Sequence, residues 1–389
     1  MKKLYFFFIL LFFLQSMKMC WLWFIDGGII SIFCLLTGFA YGFRRISLKY
    51  TFKDLLMFLI CLGAFLMAVP NITLPILISR VVLSLNVVLL LKWPSQILNE
   101  LYQYVFTAIA VILIPSIIFY VLDISLGVSI PSFSHHNQTL GYTLENHFFY
   151  CKNPDAHLRF CSYFCEPGHL ATIMSLLLLC SRCNIRDWRT KVILVAVLLT
   201  MSLAGYVIAG LAFFVKSLSA GSFRKIVTSI IGVLVLFIII VVAFDILGKS
   251  AILDELIFQR LVFDSDTGKL SGDNRVSYAT DLFIATLDLK TLFWGGIDIE
   301  QYNLAGTGIK MYVLQFGIIG VFATFFMYYN ILKNRPSKYG IFCLLVFIMS
   351  FIQRCYAIWF CQIFMFIYCV TLGYKIKNNE RYNLLNNNS

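Results

Sequence analysis

A chain of 389 residues that is 60% apolar, 16% aromatic and only 13% charged lies far outside the composition of soluble globular domains. Runs of about 20 apolar residues, enough to cross roughly 30 Å of hydrocarbon, recur along its length and leave no soluble domain for a conventional cytoplasmic enzyme. The net charge of +12 comes from bases gathered in short loops, the pattern of membrane topology and not of a nucleic-acid-binding face.

The expected fold class is all-α: a polytopic membrane helix bundle of about 12 spanning elements with two long extracytoplasmic loops. Residues 1–123 carry apolar runs at 4–14, 21–43, 55–69, 72–91 and 105–122. The residues after the first run, QSMKMC, offer no small-x-small cleavage site, so an uncleaved first span is expected. A polar stretch, 124–165, forms the first outer loop, and the central helices occupy 166–247, with runs at 170–180, 192–215 and 226–247. A second outer loop, 248–307, leads to the last helices in 308–374, with runs at 311–332, 339–351 and 356–374, and a polar tail closes the chain at 375–389.

Basic clusters at Arg44, Arg45, Lys49 and Lys53, at Arg182, Arg186, Arg189 and Lys191, and at Lys333, Arg335 and Lys338 place both termini in the cytoplasm. A single crossing by 192–215 would put Lys216, Arg224 and Lys225 outside and invert every later loop. Two arms of about 12 residues, each roughly 18 Å long, restore the pattern. The chain is therefore expected to break around 200–205, at TMSLAG, with that apex facing a water-filled or protein-lined cavity. A single long tilted helix is the alternative.

Twelve cysteines lie mainly in the apolar runs, where a thiol behaves as a small apolar group. Cys151, Cys161 and Cys165 share the first loop, so one disulfide would leave a thiol over, and three unpaired thiols are the simpler reading. Cys180 and Cys183 make a C-x-x-C that on its own assigns no metal.

Chemistry concentrates in YCKNPDAHLRFCSYFCEPGHL, residues 150–170, just before an apolar helix. Arg159 here and Arg275 in the second loop suit a phosphate, which a guanidinium fork binds bidentately without losing its proton. The plainer reading pairs these arginines with loop acids or lipid headgroups. Arg260 and Tyr278 join them as further diphosphate or sugar contacts, and so does Arg80, about 12 Å along its helix from residue 72 and too deep for a loop. Glu166 is the general-base candidate, because a carboxylate at a loop–membrane border can be desolvated toward working pH. Glu-Pro-Gly is equally a helix-start signal.

All five histidines fall in or beside the first loop. Their spacing matches no zinc motif, and His157 and His169 are read as acid/base or diphosphate contacts. Asp26 and Arg354, nearer the ends of their spans, are explained by snorkelling. In the second loop nine acids face five bases. Ser271 and Asp273 are candidate N-caps for a helix over 274–287, whose Val276, Phe283 and Leu287 would rest on the bilayer.

Arg159 followed by FCEPGH, the broken LLTMSLAGYVIAG, and SGDNRVSYATDLF followed by LFWGG together resemble the O-antigen polymerases and ligases of bacterial surface-polysaccharide assembly, over residues 124–320. The family's Arg-to-Gly loop spacing is not met: Arg159 meets Gly168 after eight residues and Arg260 meets Gly272 after eleven. The resemblance implies an inverting, metal-independent glycosyltransferase without cofactor in the bacterial inner membrane. It would move a glycan from undecaprenyl diphosphate onto a newly flipped lipid-linked repeat unit, with a flippase and a chain-length regulator as partners. The family's outer-loop arginines map onto Arg159 and Arg275. A ligase, passing the glycan to lipid A-core, and a flippase or transporter of lipid-linked sugars are the rival readings.

Overall fold

A computed structural model describes residues 1–43, 51–69, 72–219 and 277–387, apart from 129, 138–141, 153–158, 300, 303, 305, 307, 355 and 356, with a few further residues between 220 and 276. Thirteen α-helices dominate the described residues. The first five are α1 (Lys2–Ser16), α2 (Gly27–Gly42), α3 (Phe52–Met67), α4 (Leu74–Lys92) and α5 (Ser95–Leu126). The central group is α6 (Pro167–Cys180), α7 (Trp188–Leu199) and α8 (Leu203–Ser219). Two short helices, α9 (Tyr278–Ala285) and α10 (Leu289–Trp294), precede α11 (Ile309–Asn334), α12 (Lys338–Gln353) and α13 (Phe360–Asn387). Most of the apolar run 226–247 lies outside the described residues.

Three helices, α4, α5 and α11, are long and apolar enough to cross a bilayer, and shorter apolar helices surround them. Ile29, Ile32, Phe33 and Leu36 of α2 and Ile341, Leu345, Met349 and Ile352 of α12 form outward stripes at three- and four-residue spacing. Such stripes suit hydrocarbon and not water. The chain is a helical membrane protein.

Every residue of α6 is buried, because its sequence is apolar or small on all faces. α7, α8, α12 and α13 pack around it. Close approach of α8 depends on small side chains: a Cβ at Gly205 would run into Ala171, and Ser175 Oγ donates to Gly205 O at 2.9 Å.

The helix break expected at 200–205 falls between α7 and α8, at Thr200–Ser202, with Met201 at φ 45°. α8 returns toward the level that α7 left, since Gly205 lies on Ala171 while Lys216 Nζ donates to Cys183 O at 2.9 Å. The apex is protein-lined: Thr200, Met201 and Ser202 are all buried. Three donors satisfy the carbonyls at the end of α7. Tyr206 Oη donates to Leu198 O at 2.6 Å, Phe160 N to Leu199 O at 3.1 Å and Arg159 Nε to Thr200 O at 3.0 Å.

One end of the bundle gathers bases. Lys2 pairs with Glu100 at 2.5 Å, Lys92 with Asp54 at 2.8 Å and Arg189 with Asp187 at 2.6 Å. Arg335 Nη2 donates to Leu91 O and Trp93 O at 3.0 Å each, and its Nη1 to Thr371 Oγ1 at 2.6 Å. The start of α6 at Glu166 and Pro167 lies at the opposite end, since the other end of that helix leads to Cys183, whose carbonyl accepts from Lys216 Nζ.

Several expectations need correction. The outer loops carry short strands that the sequence reading did not include: β1 (Phe133–Asn137), β2 (Tyr142–Asn146) and β3 (Cys151–Lys152) form an antiparallel sheet in the order β1-β2-β3 in the first, and β4 (Phe263–Asp264) pairs with β5 (Lys269–Leu270) in the second. Instead of ending with its apolar run, α5 continues through Pro115 to Leu126, about 48 Å of helix. Its last turn carries Asp123 out to the sheet, where Tyr150 Oη and Lys152 Nζ meet the carboxylate. In the second loop the helix is α9, capped by Ser277 Oγ, which accepts from Thr280 N at 3.2 Å; Ser271 and Asp273, the expected N-caps, lie outside the described residues. Phe283, Ile284 and Leu287 pack on Leu304, Met311 and Leu314, and Val276 lies outside the described residues. The last helix continues through the tail to Asn387.

Gly317 kinks α11 at φ 68°, ψ 176°. A Cβ there would strike Phe293 O, and Gly296 N donates to Gln315 O at 2.8 Å, so the FWGG segment docks backbone to backbone on the kink. Gly317→Ala is expected to lower stability by about 2–3 kcal/mol, because neither backbone can yield. Gly63→Ala, where a Cβ meets open space, should not destabilise. Thermal unfolding of the two variants in one detergent checks the contrast.

Candidate functional site

The site is built on the N-terminus of buried α6. Glu166 is its N-cap, and Glu166 O accepts from His169 N and Leu170 N at 3.2 Å each. Pro167 occupies the first helical position, where a missing N–H costs nothing. The Glu166 carboxylate meets Arg354 Nη1 at 2.5 Å, with side-chain exposures of 23% and 17%. Arg354, the C-cap of α12, therefore does not snorkel; it is the charge partner of Glu166. Gly168 makes this possible, since a Cβ there would stand 2.6 Å from Arg354 Nη2.

His169 is 3% exposed, its ring 4.8 Å from that of Trp359. Trp359 also lines a cavity of about 330 Å³, with Gln15, Lys18, Asp26, Ser79 and Arg80 among its other lining residues. Lys18 is tied to the Glu166 side of the site: Cys165 Sγ donates to Lys18 O at 3.6 Å.

Charge in this cavity is unbalanced. Asp26 is not a snorkelling span residue but the N-cap of α2, its Oδ1 accepting from Gly28 N at 2.7 Å and Ile29 N at 3.2 Å. Helix amides thus already answer its charge. Arg80 Nε is buried without a hydrogen-bond partner. Burial, with the Arg80 guanidinium adding to it, pulls the Lys18 ammonium below the usual lysine range. An anion between the two cations would satisfy both.

Arg159 lies apart from this group, in the role described at the α7–α8 break; a cation at the C-terminal end of α7 also complements the helix dipole. His157, Arg260 and Arg275 lie outside the described residues. Tyr278 opens α9. The structure thus brings Glu166 and His169 together at the start of α6 and sets Arg80 in the cavity lined by Trp359, and it adds Lys18, Arg354 and Trp359, whose part in the site sequence reasoning missed. The one available signal was a lysine inside the aromatic junction KMCWLWF.

Cys151, Cys161 and Cys165 are buried, unbridged thiols, and burial together with the Glu166 charge pushes Cys165 up to about 12. Among the described residues no three His, Cys, Asp or Glu side chains are grouped to hold a metal ion. Comparison with protein-family models, curated proteins and solved structures finds no match for this chain.

Proposed function

We propose that the chain is a membrane glycosyltransferase acting on a lipid diphosphate, with the Lys18–Arg80 cavity as the seat of the diphosphate. The observation that carries this reading is the pair of cations lining one half-open cavity, one with a donor unmatched, joined through the Cys165–Lys18 contact to the segment that bears the ion-paired Glu166. A leaving lipid diphosphate needs positive charge more than a strong acid, and an attacking sugar hydroxyl needs one base. In this scheme the acceptor oxygen bonds to the anomeric carbon as the bond from that carbon to the diphosphate oxygen breaks. Glu166 receives the hydroxyl proton, Arg80 and Lys18 balance the departing charge, and Arg354 orients the carboxylate. No metal or cofactor enters the scheme.

The particular enzyme proposed is an O-antigen, capsular or exopolysaccharide repeat-unit polymerase of the bacterial inner membrane, with about 12 spanning elements. The base-rich end faces the cytoplasm with both termini, and the Glu166 end faces outward, where undecaprenyl diphosphate-linked repeat units arrive from a flippase. Arg159 is assigned to hold the break that shapes the outer face, and Arg275, Arg260, His157 and Tyr278 to contact the acceptor or diphosphate from the loops.

Polysaccharide banding from cells carrying Arg159→Ala or Arg275→Ala at normal protein level tests the reading. Loss of long chains with one repeat unit retained is expected for both. Loss of every cap, single units included, would indicate a ligase, and unchanged banding in both would remove the loop arginines from the site.

A further inference from the structure

We propose that Cys20 and Cys151 form a disulfide in the working protein, joining the α1–α2 connection to the outer sheet. The two sulfurs lie 3.4 Å apart and buried, although the residues are 131 positions apart in sequence. Backbone hydrogen bonds hold both cysteines on one segment: Cys20 N donates to Tyr163 O at 2.9 Å and Cys151 N to Ser162 O at 2.7 Å. A covalent bond of about 2.05 Å asks for little more than 1 Å of further approach.

Counting polar-loop cysteines gives an odd number; Cys20, contributed from the far end of the chain, completes four. Two of the four thiols are directed elsewhere. Cys161 Sγ donates to Cys151 O at 2.9 Å and Cys165 Sγ to Lys18 O at 3.6 Å, leaving Cys20 and Cys151 facing each other. A second close pair, Cys180 and Cys369 at 3.2 Å, is set deep toward the base-rich end and stays reduced.

The oxidant is a disulfide, either of a protein or of a small thiol. One cysteine thiolate attacks it and forms a mixed disulfide, releasing one thiol; the second cysteine then displaces the other. The two protons lost by Cys20 and Cys151 end on the two sulfurs of the reduced oxidant. The bond forms while the first loop folds, before the sheet covers the pair. Its consequence reaches the site, because Lys18 precedes Cys20 by two positions and Glu166 follows Cys165. The staple holds the cavity rim against the start of α6.

This inference rests on the orientation proposed above, which exposes that end to an oxidising compartment. Membranes are quenched in acid, unfolded in maleimide without reductant, and digested for mass spectrometry. A Cys20–Cys151 linked peptide that disappears with reductant is expected, with maleimide on Cys161 and Cys165, and the linked peptide should be absent from Cys20→Ser. Maleimide on both Cys20 and Cys151, or Cys151 linked to Cys161 or Cys165, overturns the proposal. A Ser134→Cys reporter on β1, probed in spheroplasts with an impermeant maleimide, shows which premise failed. If the reporter is labelled while the pair is free, the pairing is wrong; if it is protected, the orientation is wrong.

Discussion

Arg80→Gln is expected to reduce cells to single-repeat glycan and to lower the elongation rate by about 10²–10³-fold, the effect of removing one preorganised donor from a developing anion. The side chain lies in α4 with its Nε buried and unmatched, and the carboxylate nearest it in the cavity, Asp26, is committed to the α2 amides. A protein that keeps such a cation without an internal answer gains by supplying a ligand with one. Stability separates this role from a structural one. Removing an incompletely matched, half-buried guanidinium should leave thermal unfolding unchanged or raise it, whereas a structural arginine would be missed. Arg80→Lys should recover the rate only in part, because an ammonium lacks the fork that grips two phosphate oxygens. Normal banding in Arg80→Gln would take the cavity out of the site.

The second large effect is expected at Glu166 and Arg354. Glu166→Gln and Arg354→Gln each strand a partly buried charge, and each should lose about 1.5–3 kcal/mol of stability. The double variant leaves neutral amides at both positions and should regain most of that loss, a coupling visible in the double-mutant cycle. Activity should not follow. If Glu166 merely starts α6, elongation returns with stability in the double variant. If it accepts the proton of the attacking hydroxyl, elongation stays about 10²–10⁴-fold down whatever the stability. The second outcome is the expected one. Recovery of activity in the double variant would reassign Glu166 to helix capping.

Much of the helical scaffold can be read locally. The apolar runs mark the helices, Glu-Pro-Gly marks the start of α6, and the conflict in positive charge around residues 192–225 points to a break that falls at Thr200–Ser202. Each of these signals is contained within one or two turns of chain. The site is less legible because its contacts are not local. Arg354 lies 188 positions from Glu166, and nothing about an arginine near a span end distinguishes a snorkelling side chain from a charge partner. Asp26 carries the opposite lesson: an Asp before Gly-Gly at the head of an apolar run is a helix cap, a local signal that outweighs its nearness to the span.

The outer sheet had no pattern to announce it. Of its strands, FSHHN lacks an alternating apolar face and YTLEN alternates over too few residues to stand out; the two are held by their mutual hydrogen bonds and by β3, whose Lys152 meets Asp123 at the end of an overlong α5. The kink at Gly317 was hidden in the same way. In sequence it is one glycine in an apolar helix, and only the arrival of Phe293 and Trp294 against it explains why a side chain is excluded.

The most direct test of the account is elongation by the purified protein in lipid nanodiscs, given an undecaprenyl diphosphate-linked repeat unit and a chelator. The wild-type chain should build a ladder of longer lipid-linked products without added metal, and Arg80→Gln should leave the single repeat unit unextended. A wild-type protein that moves the same substrate across vesicle membranes without lengthening it, or an Arg80→Gln ladder equal to the wild-type one, would contradict it.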